Sequence, residues 1–196
     1  MLRNDDVLVI VDVQNDLVSG SLAVPGGAEV IAPLNRYIEA FVRKGLRVVA
    51  TRAWHPADHR SFRENGGPWP THCLARSPGA AFAPGLRLPD GSLLVSKATA
   101  PDREAGSGFA GTDLDHRLRR LGAKRLFVGG LATDQCVLRT VLDARRLGYG
   151  VFVLADAIRA MDLRPGDGDN AEAEMQREGA VFIHFDSLTE ETDSLA

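Results

Sequence analysis

Four residues with reactive side chains lie at or shortly after the ends of apolar runs that predict β-strands. They are Asp12, His55, Lys97 and Cys136. In open parallel sheets, ligands bind outside the carboxyl ends of the strands. We therefore expect an acid, an imidazole, an amine and a thiol to meet at one edge of a sheet, where together they could activate a nucleophile.

Each of these residues also has an ordinary structural interpretation. An aspartate at a strand end often caps the following loop, and a lysine there is usually a surface residue. A cysteine near a helix start is more often buried and inert than catalytic. The functional interpretation therefore depends on their coincidence at equivalent strand ends.

Cys136 is the stronger candidate nucleophile of the two cysteines. A helix N-terminus and a neighbouring lysine both favour a thiolate, so this position predicts a lowered thiol pKa. Gly129 and Gly130 just before it allow a tight bend and a close approach to a ligand. Backbone N–H groups at that bend could stabilise an oxyanion. The rival, Cys73, lies in an irregular segment with no such placement.

The elements that must position these residues alternate along the chain. Gly45, Gly122, Gly148 and Gly179 stand where helices should end. A strand, a helix that ends at a glycine and the next strand follow one another several times along the chain. This order predicts an α/β fold with a largely parallel central sheet of about six strands and helices on both faces. The predicted strands are 7–11, 46–50, 93–95, 125–128, 150–154 and 180–183, and the predicted helices are 29–44, 112–121, 134–147 and 170–178.

Composition narrows the class of protein. The chain has 196 residues, a net charge of −3 and two cysteines. We expect one domain, no nucleic-acid partner, no disulfide framework and a cytoplasmic location. No apolar run approaches the roughly 20 residues of a membrane span, so we expect no membrane association. The segment 52–89 is rich in Pro, Gly and His, and long loops of this kind are usually functional.

Several ordered motifs resemble one family. They are VDVQND at 11–16, GSLAV at 20–24, WHP at 54–56, WPTHC at 69–73 and GLATDQCV at 130–137, together with Asp58, His59 and Lys97. In this order they resemble the nicotinamidase/pyrazinamidase branch of the isochorismatase-like cysteine hydrolases, from about residue 7 to residue 184. Several motifs in order over one chain are far more specific than a single short pattern.

The resemblance implies a three-layer isochorismatase-like hydrolase domain over 1–196. It places a catalytic triad on Asp12, Lys97 and Cys136, and an oxyanion hole on the backbone N–H groups of Ala132 and Cys136. It also implies a cis peptide bond just before Ala132. The implied reaction converts a small carboxamide, such as nicotinamide, to its acid and ammonia through a thioester.

The resemblance also implies a divalent metal, zinc or a similar ion, and here the sequence departs from the pattern. The family's aspartate ligand corresponds to Ala53, whereas His55, His59 and His72 remain. Three imidazoles can hold zinc, but with less charge compensation. The alternative is that these histidines line a polar cavity without metal. No organic cofactor is implied.

The expected substrate pocket departs from the family as well. Trp69 would form a ring-stacking wall, whereas Leu17 and Gly106 stand where the family usually has aromatic residues. We expect a wider pocket that stacks less tightly on a pyridine ring.

Three hypotheses about the function follow from these features. The first is a nicotinamidase-like amidohydrolase in pyridine nucleotide biosynthesis and NAD salvage. The second is a relative that cleaves an N-carbamoyl group or a larger amide, and the third is a non-catalytic relative with an eroded metal site. Isochorismatase chemistry itself is disfavoured, because vinyl-ether hydrolysis does not call for a nucleophilic cysteine. The expected partner is a small amide, and homo-oligomerisation stays open.

Overall fold

A six-stranded sheet forms the centre of the computed structural model, which describes residues 2–188. All five neighbouring pairs of strands are parallel, in the order β3-β2-β1-β4-β5-β6. This confirms the predicted parallel α/β sheet. The strands are β1 (Asp6–Val11), β2 (Arg47–Ala53), β3 (Leu93–Lys97), β4 (Arg125–Leu131), β5 (Gly150–Arg159) and β6 (Val181–Ile183).

The helices lie near the predicted positions, with two differences. A four-residue helix follows β1 without having been predicted, and a π-helical turn (Thr133–Val137) precedes α4 where one continuous helix was expected. Among residues 2–188, no helix is both long and apolar enough to cross a bilayer. The helices are α1 (Asn15–Val18), α2 (Ile31–Arg43), α3 (Leu114–Arg120), α4 (Leu138–Arg146) and α5 (Asp167–Arg177).

Alternate side chains of the central strand enter two separate cores. Leu8 and Ile10 belong to the cluster that contains the apolar face of α2. Val7 and Val9 point the other way, into the cluster formed with α3, α4 and α5. Because strand side chains alternate between faces, a strand buried on both sides is apolar throughout. The result is three layers, with helices on both faces of the sheet.

The chain order places a switch point at the middle of the sheet. From β1 the chain moves outward through β2 to β3, and then returns to β4 on the other side of β1. In such sheets, ligands bind beyond the carboxyl ends of the strands at this reversal. Asp12 follows β1 and Ala132 follows β4, so both residues stand at the switch point.

Gly130 allows β1 and β4 to approach each other there. Its φ is +128°, and a Cβ atom at this position would lie 2.1 Å from the carbonyl oxygen of Val11. A Cβ on Gly129 would lie 3.0 Å from Leu34 of α2. Both glycines therefore allow close packing in the sheet. The sequence alone had suggested that they allow the backbone to approach a ligand.

We predict that Gly130→Ala strongly destabilises the protein. Gly122→Ala is the matched control, because Gly122 also has a positive φ, +69°, but nothing within 4 Å of the added Cβ. The control should lower the free energy of unfolding by about 1–2 kcal/mol, from backbone strain alone. Gly130→Ala should lower it by more than about 3 kcal/mol, because strain and a steric clash act together. Urea denaturation of both variants measures this difference, and equal losses would contradict the packing role.

Candidate active site

Asp12 is a fully buried carboxylate held at both of its oxygens. It follows β1 directly and has a φ of +48°, which few non-glycine residues adopt. Its Oδ1 accepts a hydrogen bond of 2.7 Å from the Thr51 hydroxyl, and its Oδ2 lies 2.7 Å from Lys97 Nζ. The position of Asp12 is thus fixed from two neighbouring strands, β2 and β3.

Lys97 connects the other members of the cluster. It ends β3 and reaches past β2, which lies between β3 and β1. Besides the ion pair with Asp12, its Nζ donates to the carbonyl oxygen of Ala105 at 3.1 Å and to Cys136 Sγ at 3.3 Å. Burial favours a lower pKa for Lys97, but its charge interactions and hydrogen bonds with Asp12 and Cys136 outweigh burial and the pKa is raised. The side chain is therefore an ammonium ion at neutral pH.

Cys136 lies in the π-helical turn that leads into α4. Burial raises the pKa of its thiol to about 11, with Lys97 acting to lower it and Asp12 to raise it. The sequence argument from the helix start and the lysine predicted the opposite direction. The thiol is therefore protonated at neutral pH, and Asp12 is the buried carboxylate beside it.

Cys73 has a different environment. The residue is fully buried in the core, and burial raises the pKa of its thiol. Its backbone N–H donates to Asp16 Oδ2 at 2.7 Å, which anchors the loop that carries it. These contacts fit a structural cysteine.

A cavity of about 340 Å³ opens beside the cluster, which is the size of a small-molecule site. Asp12, Lys97 and Cys136 line it, and so does Ala132, whose peptide bond with Leu131 is cis. The three residues that the sequence suggested for substrate binding, Leu17, Trp69 and Gly106, also line it. The lining residues with polar or flexible side chains that were not predicted include Glu104, Gln135, Arg139 and Met161.

Within residues 2–188, the Nε2 atoms of His55 and His72 have no hydrogen-bond partner. The Nδ1–H of His55 donates to the carbonyl oxygen of His72 at 3.0 Å, and that of His72 donates to Pro70 at 2.8 Å. Burial lowers the pKa of His55 to about 3 and also lowers that of His72, so both rings are neutral. Both rings line the cavity with Nε2 lone pairs available, as in histidines that bind metals.

Both ring nitrogens of His59 already have protein partners. Nδ1 lies 2.7 Å from the Ser61 hydroxyl and 3.2 Å from the Ser61 backbone N–H, and Nε2 lies 3.2 Å from the carbonyl oxygen of Arg103. Ala53 offers no donor atom in its side chain. Within residues 2–188, no group of three or more His, Cys, Asp or Glu side chains could hold a metal ion. The donors therefore do not fit a zinc site, which needs at least three protein ligands.

Two buried polar residues that support the site were also missed. Thr51 donates to Asp12, as described above, and Gln14 joins the end of β2 to a distant loop. The Gln14 amide donates to the carbonyl oxygens of Ala53 and Ala80 and accepts from the Ala53 N–H, all within 2.9 Å. The one available signal was a polar residue directly beside or within an apolar run.

Comparisons with known proteins agree on one family. Residues 6–186 match the family described as Isochorismatase domain. The nicotinamidase of Escherichia coli (strain K12) is 37% identical over 197 residues, covering 89% of this chain and 92% of that protein. The structure of pyrazinamidase of Pyrococcus horikoshii in complex with zinc has a TM-score of 0.89 and 46% identity, over 92% of this chain and 99% of that one. The structure of PnC1 from L. infantum in complex with nicotinate has a TM-score of 0.85 and 33% identity, over 94% of this chain and 95% of that one.

We predict that Asp12→Asn lowers the pKa of the Cys136 thiol below its value of about 11, because a negative charge that disfavours the thiolate is removed. The titration uses thiolate absorbance in a Cys73→Ala background, so that one thiol reports. Asp115→Asn, a change on the surface of α3, serves as the control and should leave the midpoint unchanged. An unchanged midpoint in Asp12→Asn would show that the carboxylate does not act on the thiol.

Proposed function

We propose a catalytic route for this chain, which belongs to the isochorismatase family. The chain is an amidohydrolase of the nicotinamidase type that acts on a non-peptide C–N bond. Nicotinamidases are 30–37% identical to it over most of its length. The observation that carries the proposed route is the position of Lys97 Nζ, 2.7 Å from Asp12 and 3.3 Å from Cys136 Sγ beside a small cavity.

In the first half of the reaction, Asp12 takes the thiol proton as Cys136 Sγ attacks the carboxamide carbon. The C–S bond forms while the carbonyl π electrons move to oxygen. The backbone N–H groups of Ala132 and Cys136 bind the resulting oxyanion. Asp12 then returns the proton to the amide nitrogen, the C–N bond breaks, and ammonia leaves a thioester on Cys136.

In the second half, water replaces ammonia. Asp12 is again a carboxylate and takes a proton from the attacking water. The new C–O bond forms, the C–S bond breaks, and the proton returns to the Cys136 sulfur, leaving the free acid. Lys97 stays charged throughout, so it holds Asp12 in place through their ion pair and offsets the negative charge that develops on sulfur.

The biological substrate is a small carboxamide, and nicotinamide is the candidate that the names of the relatives indicate. Its hydrolysis to nicotinate serves pyridine nucleotide biosynthesis and NAD salvage. The active form needs a reduced Cys136, which fits a cytoplasmic location with its reducing thiol pool.

Bond cleavage in this route needs no divalent metal. A family metal would be held here by His55 and His72 alone, because Ala53 replaces a carboxylate and both ring nitrogens of His59 are engaged. An ion that leaves water for a partly closed site gains much from an anionic ligand, and this chain has lost that attraction. Every proton transfer and bond change above belongs to Asp12, Cys136 and water.

Replacing each cysteine in turn tests the nucleophile. Cys136→Ala should reduce ammonia release from nicotinamide by about a thousandfold or more, since the covalent step is lost. Cys73→Ala is the matched control and should keep most of the activity while both variants retain the wild-type melting transition. Loss of activity in the Cys73 variant, with Cys136→Ala active, would contradict the assignment.

Restoring the family carboxylate tests the metal argument. Ala53→Asp should raise zinc affinity roughly tenfold or more, whereas Ala53→Asn adds similar volume without charge and should not. Competition with a zinc indicator gives both affinities, and metal analysis of the purified protein should find little zinc. Stoichiometric, tightly held zinc in the unmodified protein would show that the imidazoles suffice.

A further inference from the structure

The side chain of Arg139 lies against the backbone of Gly106 in the cavity wall. A Cβ atom added to Gly106 would lie 2.5 Å from Arg139 Cδ and 2.8 Å from its Nη1. Both residues line the same cavity as Cys136. From the sequence, Gly106 was expected to leave empty space in the pocket. In the structure, an arginine from α4 occupies that space.

Glycine at 106 lets this arginine lie directly against the backbone. The backbone there does not adopt a positive φ, so its conformation does not require glycine. A side chain of any size at 106 would collide with Arg139 where it now lies. The pair therefore forms one arrangement in which the glycine makes room for the guanidinium.

The guanidinium has no acceptor within residues 2–188. Two carboxylates line the cavity, and Asp12 is already paired with Lys97. Glu104 is exposed to solvent and forms no ion pair with Arg139. Arg139 itself is exposed, so its N–H donors are available to a bound molecule. Of the two cations among the described lining residues, Lys97 is paired with Asp12, whereas Arg139 has no carboxylate partner.

We propose that Arg139 binds a carboxylate carried by the substrate, so that the enzyme prefers small carboxamides bearing a second, anionic group over neutral ones. This inference rests on the amidohydrolase activity proposed above. Guanidinium groups bind carboxylates through two parallel hydrogen bonds, and such charge-assisted bonds are about twice as strong as neutral ones. The inference also fits the altered metal donors, since two free imidazoles leave no complete metal site to anchor a neutral ring nitrogen.

The test compares substrates that differ only by a carboxylate. Nicotinamide is assayed beside the isomeric monoamides of pyridine dicarboxylic acids, in which the carboxylate occupies different ring positions. For the wild-type protein, at least one isomer should have a KM roughly tenfold or more below that of nicotinamide. Arg139→Gln should raise the KM of that isomer roughly 10- to 100-fold, with little change in kcat.

Two further variants separate charge from structure. Arg139→Lys keeps the charge and should retain part of the preference, and high salt should weaken it. Arg146→Gln alters another exposed arginine of α4, outside the cavity lining, and should change neither KM. For nicotinamide, Arg139→Gln should raise KM by a smaller factor than for the preferred isomer, because no charge pair is lost.

Two outcomes would overturn the inference in different ways. If nicotinamide is hydrolysed but no carboxylated isomer is preferred, or if Arg139→Gln raises both KM values equally, the carboxylate site is wrong and the amidase assignment stands. If no carboxamide of the panel releases ammonia, the proposed function itself fails, and the inference fails with it.

Discussion

The Lys97 ammonium, buried between a carboxylate and a thiol, is the interaction on which the site depends. A charge this deep is tolerated only when it is paired and hydrogen-bonded, and Lys97 has Asp12, Ala105 and Cys136 as partners. These partners come from the residue after β1, from a loop after β3 and from the π-helical turn before α4. Removing one partner of such a buried pair generally costs about 3–5 kcal/mol, so fold and chemistry share the same contacts.

The sheet is built so that this convergence can occur. β2 separates β1 from β3, and the length of a lysine side chain spans it. Gly130 lets β4 lie tightly beside β1, which brings the turn carrying Cys136 to the same edge. Asp12 and Ala98 each follow directly after a strand and each have a positive φ, of 48° and 55°. Such strained residues concentrate at functional sites, where the surrounding packing holds them.

The site residues that could be predicted from the sequence are those that stand at the ends of strands. Apolar runs predicted the six strands, and the residues that follow them, Asp12 and Lys97, were found for that reason. Arg139 could not be found in this way, because its position in the cavity depends on its contact with Gly106, which lies 33 positions earlier in the chain. Both ring nitrogens of His59 are engaged, by Ser61 and by Arg103, and sequence spacing cannot show these contacts. The direction of the Cys136 pKa shift was predicted wrongly, because burial outweighs the nearby lysine.

Nicotinaldehyde tests most directly whether Cys136 attacks the carbonyl carbon. In this aldehyde a hydrogen atom replaces the amide NH₂ group of nicotinamide. A thiol that adds to this aldehyde forms a stable thiohemiacetal, because there is no amine to expel. With a ¹³C label at the aldehyde carbon, NMR distinguishes the thiohemiacetal from the free aldehyde and its hydrate. We predict a thiohemiacetal signal in the wild-type and Cys73→Ala proteins that is absent from folded Cys136→Ala. A signal that persists in Cys136→Ala, or its absence from the active wild-type protein, would contradict the account.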